Sequence, residues 1–160
     1  MLADNFNVSQ TTVSGIFITW ANFLYFMLGS FCISPSRLKI QKCMPDCFKK
    51  AYPSCRGIFD ASEIRVQASS SMILNSEMYS SYKSDTTYKG NVVISPSGEI
   101  IHISSPFEGS ISDKELVRQS GLLPLLQPGD QLMADKGFVI QDLLTPLGCM
   151  WSCHAFISFQ

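Results

Sequence analysis

Two aspartates in this chain stand where a carboxylate needs a reason. Asp60 lies in Gly57–Gln67 (GIFDASEIRVQ), which alternates like a strand and sets Ile58, Asp60, Ser62, Ile64 and Val66 on one face. Burying its charge among aliphatics is costly unless a cation or hydrogen bonds compensate. Asp60 therefore reads as a metal ligand or as a strand aspartate turned to water. Asp135 follows a short strand, Gln131–Ala134, and precedes Gly137. At the C-terminal edge of a strand it can project a carboxylate into a crevice, or simply close a turn. Asp113 stands after Ser112 at the start of a short helix over Lys114–Ser120, which either residue can cap and Gly121 can end.

The elements that must position these residues follow from the same patterns. Pro35, Pro45 and Pro53 punctuate the chain ahead of the Asp60 strand. After the polar and aromatic stretch Tyr79–Gly90, the strands Asn91–Ser95 and Glu99–Ser104 flank Pro96-Ser97-Gly98 as a hairpin. Pro128-Gly129-Asp130 makes a turn before Gln131–Ala134, Val139–Leu144 starts another helix, and Cys149–Phe159 is expected to be a last strand. At the N-terminus, Leu2–Phe17 reads as a short helix, a turn at Asn7 and a second helix capped by Ser9. Leu2, Ala3, Phe6, Val13 and Ile16 would pack inward. Gln10, Thr11, Thr12 and Ser14 would face phosphates or base edges, as in the second half of a helix-turn-helix. An ordinary helical hairpin fits the same pattern.

Composition sets the bounds. The chain has 160 residues, 46% hydrophobic and 16% charged, enough for one compact domain and a small appendage. The net charge of -1 hides a gradient. Residues 37–56 hold six bases (Arg37, Lys39, Lys42, Lys49, Lys50, Arg56) against Asp46 alone, whereas eleven acids meet six bases from Gly57 onward. A basic connector ahead of an acidic body reads as a solvated linker or as a phosphate-facing approach. Six cysteines (Cys32, Cys43, Cys47, Cys55, Cys149, Cys153) follow no secreted framework, so reduced thiols are expected. Cys149, Cys153 and His154 imitate part of a zinc site but lack a second pair. No charge occurs between Asp4 and Arg37, and Gly15–Ile33 is apolar enough to consider a membrane span. Large residues at three- and four-residue steps equally describe a helix on a soluble core, and a membrane is not the expected partner.

Taken in order, LADNFNVSQTTVS, FDASEI, YSSYKSDTTYKG, ISPSGEI, GSISDKE and PGDQLMADKGF resemble the DDE endonucleases of Harbinger-type and related transposases, including the partial helix-turn-helix often found ahead of them. The resemblance runs from Leu2 to about Gly148. It implies an α/β, ribonuclease-H-like mixed sheet with flanking helices, preceded by a small helix-turn-helix segment. Residues 1–34 would be that segment and the following helix, 35–56 the basic connector, and 57–160 an incomplete nuclease domain. It also implies that Asp60 is the first catalytic aspartate, Asp135 the second, and Asp113 a further metal ligand. The cofactor would be Mg²⁺ or Mn²⁺, hard cations that prefer oxygen donors. Two such ions roughly 3.5–4 Å apart serve phosphodiester hydrolysis and strand transfer on DNA. Lys83 and Lys89 would be candidates for phosphate contact. DNA is the implied partner rather than a small molecule, with oligomerisation open and an intracellular location, nuclear in a eukaryote.

The departures carry equal weight. The family's final Glu is expected on a helix after the fifth strand, and no acid follows Asp142. The ending LGCMWSCHAFISFQ no longer resembles the family, as a frameshift, altered splicing or decay would produce. Impaired cleavage is therefore expected. The alternative is a noncatalytic DNA- or protein-binding remnant.

Overall fold

The computed structural model describes residues 2–29, 34–135 and 137–153. The chain divides into two compact units, residues 1–33 and 34–160.

The first unit holds α1 (Leu2–Asn5) and α2 (Gln10–Gly29). Asn7 makes the turn between them at φ 50, a left-handed conformation that asparagine tolerates better than most residues. The Ser9 hydroxyl accepts the Thr12 amide at 3.0 Å, so α2 begins with the expected cap. The expected inward packing does not follow: Phe6 is 71% exposed, Ile16 is 54% exposed, and α2 buries no residue. Nor does the helix stop at Gly15, whose cost of about 1 kcal/mol relative to alanine is small beside twenty residues without proline. The polar first turns and the apolar stretch thus form one helix, long and apolar enough by length and composition to cross a membrane. Ser30–Ile33, which include Cys32, lie outside the described residues.

The second unit opens with α3 (Arg37–Cys43) and α4 (Asp46–Ala51). Ser36 caps α3 by accepting the Lys39 amide. Ile40 and Met44 are buried, and Phe48 and Tyr52 pack against the same core. Residues 35–56, read from charge as a connector, therefore supply part of the hydrophobic interior.

The sheet follows. Its strands are β1 (Cys55–Arg65), β2 (Tyr79–Ser80), β3 (Asp85–Ile94), β4 (Ile100–Ile103), β5 (Phe107–Glu108), β6 (Gln131–Ala134) and β7 (Met150–Cys153). The path is β2-β3-β1-β6-β7, with β4 and β5 also paired to β3. β1, β3 and β4 run antiparallel in succession. β6 is parallel to β1, and β7 is parallel to β6. Three antiparallel strands followed by two parallel ones, with helices α5 (Met72–Met78), α6 (Asp113–Gln119) and α7 (Gln141–Leu144), make a ribonuclease-H-like mixed sheet. The β3–β4 hairpin turns at Gly98, whose φ of 90 requires glycine. β3 starts at Asp85, six residues earlier than the hairpin pattern predicts, because Thr87 and Tyr88 find partners in Arg65 and Ile64. The last strand is Met150–Cys153, and the rest of the segment expected to form it, residues 154–159, lies outside the described residues.

Side-chain alternation on β1 selects the opposite inner face from the one the aliphatic pattern suggests. Phe59 is buried and pairs with buried Val93; on the other face Ile58 still packs against the core, but Asp60, Ser62 and Ile64 are exposed, Ile64 by 68%. Asp60 thus pays no large desolvation penalty, and its presence cannot be argued from burial.

Candidate metal-binding active site

Strand register relates the segments that carry Asp60 and Asp135. β1 and β6 run parallel with Ile58 beside Met133, and advancing both strands by two residues sets Asp60 beside Asp135. Neighbouring strands lie about 4.8 Å apart, and residues in register point to the same face. Asp135 is the first residue past β6, and both aspartates are solvent-exposed. The loop after Asp135 is pinned to β1. The Phe138 amide donates to the Asp135 carbonyl at 3.1 Å. The Phe138 ring meets Phe59 edge-on, with centroids 5.0 Å apart. Phe59 immediately precedes Asp60, so this aromatic contact ties the two aspartate-bearing segments together.

Asp113 is placed differently. It is the first residue of α6, where Ser112 provides the cap by accepting the Glu115 amide. Its carboxylate meets Lys89 Nζ at 2.5 Å. Lys89 is in register with Glu63, and Val92 with Asp60, so Lys89 stands on the opposite side of the sheet from Asp60. The structure does not gather Asp113 with the other two aspartates. Lys89 is also committed: its side chain is 14% exposed and donates to the Ile111 carbonyl as well. Lys83, the other lysine considered for phosphate contact, is exposed, with Nζ 5.2 Å from the Tyr82 ring centroid.

The pair fits a divalent cation in kind. It offers hard oxygen donors, one in the middle of β1 and one just past the end of β6. It does not fill a coordination sphere, since among the described residues no group of three or more His, Cys, Asp or Glu side chains gathers to hold a metal ion. Asp142 is directed elsewhere. Its carboxylate accepts from Lys114, which links α7 to α6, and that hydrogen bond holds its pKa below the ordinary carboxylate value.

Gln10, Thr11, Thr12 and Ser14 are exposed on the first turns of α2, with the Thr12 hydroxyl 2.8 Å from Ser9 Oγ. Of the zinc-like residues, Cys149 is a free, buried thiol whose pKa is raised by burial, and His154 lies outside the described residues. Cys43, Cys47 and Cys55 are also free, and burial pushes the Cys55 thiol up to about 12.

A residue whose weight sequence reasoning missed is Asp130. In a Pro-Gly-Asp string it reads as a turn former. In the fold it is 1% exposed and faces two guanidinium groups, with Arg37 Nε at 3.5 Å and Arg56 Nε at 3.9 Å. Arg37 also donates to the Gly129 and Pro128 carbonyls, and Arg56 donates to the Pro35 carbonyl at 2.6 Å. This cluster joins α3, the head of β1 and the turn that launches β6. The available signal was an acid just ahead of a strand, facing a basic run with no other obvious counter-ion.

A known family profile covers the strands next to both aspartates. That of the DDE superfamily endonucleases matches residues 59–152. The chain belongs to this family. The matched range includes both Asp60 and Asp135. It also reaches into β7, which corrects the expectation that family likeness stops near Gly148. Membership implies DNA as the substrate. No curated protein and no solved structure matches the chain.

Proposed function

We propose that the DDE domain uses Asp60 and Asp135 to bind a divalent cation, Mg²⁺ or Mn²⁺, at a DNA phosphodiester, in the manner of transposases of the Harbinger type. What supports this is the β1–β6 register, which, continued two residues beyond Ile58 and Met133, would set Asp60 next to Asp135. A bound divalent cation supplies charge stabilisation at phosphoryl oxygens and lowers the pKa of water. The chain's own contribution is to hold two acceptor groups in fixed relation, with the Phe59–Phe138 contact bracing them. Asp113 joins such a site only by releasing Lys89, which makes it the weakest of the three proposed ligands. The exposed first turn of α2, with Gln10, Thr11, Thr12 and Ser14, is proposed as a separate DNA contact.

The test is thermal unfolding with and without Mn²⁺. A ligand that binds only the folded state raises its stability by mass action. Mn²⁺ should raise the midpoint of the wild-type chain and leave Asp60→Asn and Asp135→Asn unmoved. Equal shifts in all three proteins would refute the site.

A further inference from the structure

The fold sorts the basic run of residues 37–56 into two populations. Arg37 and Arg56 turn inward and share the buried carboxylate of Asp130. Lys39, Lys42, Lys49 and Lys50 remain exposed. Lys39 and Lys42 are three residues apart on α3, hence neighbours on one face, and Ile40 and Met44 hold the opposite side of that segment in the core. Lys49 and Lys50 occupy the last turn of α4, which Phe48 anchors to the same core. The one acid on these two helices is Asp46, which meets Lys49 at 3.6 Å across a solvent-exposed pair worth little. The remainder of the chain is acidic, so the concentration of positive charge on α3 and α4 stands apart from its surroundings.

From this sorting we infer that α3 and α4 form a DNA-backbone contact surface, with Lys39, Lys42, Lys49 and Lys50 meeting phosphates and carrying no sequence preference. The inference rests on the nuclease reading, because a duplex substrate is what makes a polyphosphate the favoured partner. The helices are seated on the core by Ile40, Met44 and Phe48, so the lysines extend from a fixed platform and not from a loose linker. Lysines that serve as point charges position a duplex without reading its bases. An anionic membrane surface would attract the same lysines, and the experiment separates the two.

Binding of a short duplex DNA to the full chain would be followed by fluorescence anisotropy over a range of salt, in the presence of EDTA so that no metal contributes. Every phosphate that a lysine ceases to neutralise reduces the slope of log K against log salt by about 0.9. For the variant carrying Lys39→Gln, Lys42→Gln, Lys49→Gln and Lys50→Gln the slope should fall by roughly 2–4, and affinity at low salt should drop about tenfold or more. The four Lys→Arg changes should restore both. The loss should be the same for duplexes of unrelated sequence. An unchanged slope in the Gln variant overturns the inference. So does a variant that loses binding to vesicles of phosphatidylcholine and phosphatidylserine while keeping its DNA affinity. The Gln variant should retain the Mn²⁺-induced thermal shift of the wild type. Absence of the lysine effect with that shift intact defeats this inference alone, whereas absence of the shift in the wild type defeats the metal reading alone.

Discussion

Removing the carboxylate of Asp130 would take from buried Arg56 and part-exposed Arg37 the counter-ion they share. Breaking one side of such a buried ionic cluster typically costs about 3–5 kcal/mol, far more than a surface pair. Asp130→Ala should lower the urea midpoint accordingly. Asp130→Asn should do less damage if its amide oxygen can still accept the Gln127 backbone amide, which now donates to Asp130 Oδ2 at 2.9 Å. Asn91 presents the opposite case. It is fully buried on β3 opposite Ala61, and neither its amide nitrogen nor its amide oxygen has a hydrogen-bond partner among the described residues. An unsatisfied buried polar group costs about 1–3 kcal/mol, so Asn91→Val should raise stability by an amount of that order in the same assay. Neither effect was legible beforehand. Asp130 looked like a turn residue because the two arginines that enclose it are 74 and 93 positions away in the chain. Asp60 stood out because it sits within a strand pattern, and Asp135 because it follows one directly. The burial argument for Asp60 was not sound, since GIFDASEIRVQ carries apolar residues on both faces and only the partner strands decide which is inside.

Between elements, the junction of β4 and α6 is expected to respond to pH. His102 lies on β4, and burial lowers its pKa from the ordinary 6.5, with a hydrogen bond to the Ser120 backbone opposing that shift. Arg56 lines the same small cavity, so a second cation there has a like charge as its neighbour. The unfolded chain takes up the proton first as pH falls. The stability held by neutral His102 is therefore present above about pH 6.5 and is lost as the pH drops from there towards the lower folded value. The urea midpoint should fall from about pH 7.5 to about pH 5.5 by more in the wild type than in His102→Gln. Equal falls would show that other groups carry the dependence. Where β5 approaches β3, Gly109 leaves no room for a side chain: a Cβ would lie 2.6 Å from the Met78 carbonyl and 2.8 Å from that of Thr87. Gly109→Ala should destabilise by about 1–3 kcal/mol, the range for overpacking, as measured by denaturant unfolding. The sequence showed the hairpin turn, the α6 cap and β6 because glycine, proline and serine mark them locally. It did not show α5 or β2. Both depend on contacts with β3, and β2 has only two residues to carry a pattern.

At the scale of the molecule, family and charge distribution tell complementary stories. The family profile covers residues 59–152, yet the hydrophobic core also draws on Ile40 and Met44 from the basic run ahead of it. Charge counting could not reveal this, because four exposed lysines and two internal arginines contribute equally to a net charge. The order of motifs made the ribonuclease-H-like sheet legible. α2 was read as two segments because its composition changes at Gly15, although the backbone does not. The central claim is that Asp60 and Asp135 act as one metal site, and Mn²⁺ affinity in a double-mutant cycle tests it directly. Titration of free Mn²⁺ by electron paramagnetic resonance would give the affinity of the wild type, of Asp60→Asn, of Asp135→Asn and of the double variant. Ligands of one ion are coupled, so each single change should weaken binding at least tenfold, and the double change should cost much less than the sum of the two. Wild-type affinity in either single variant, or losses that simply add, would contradict the claim.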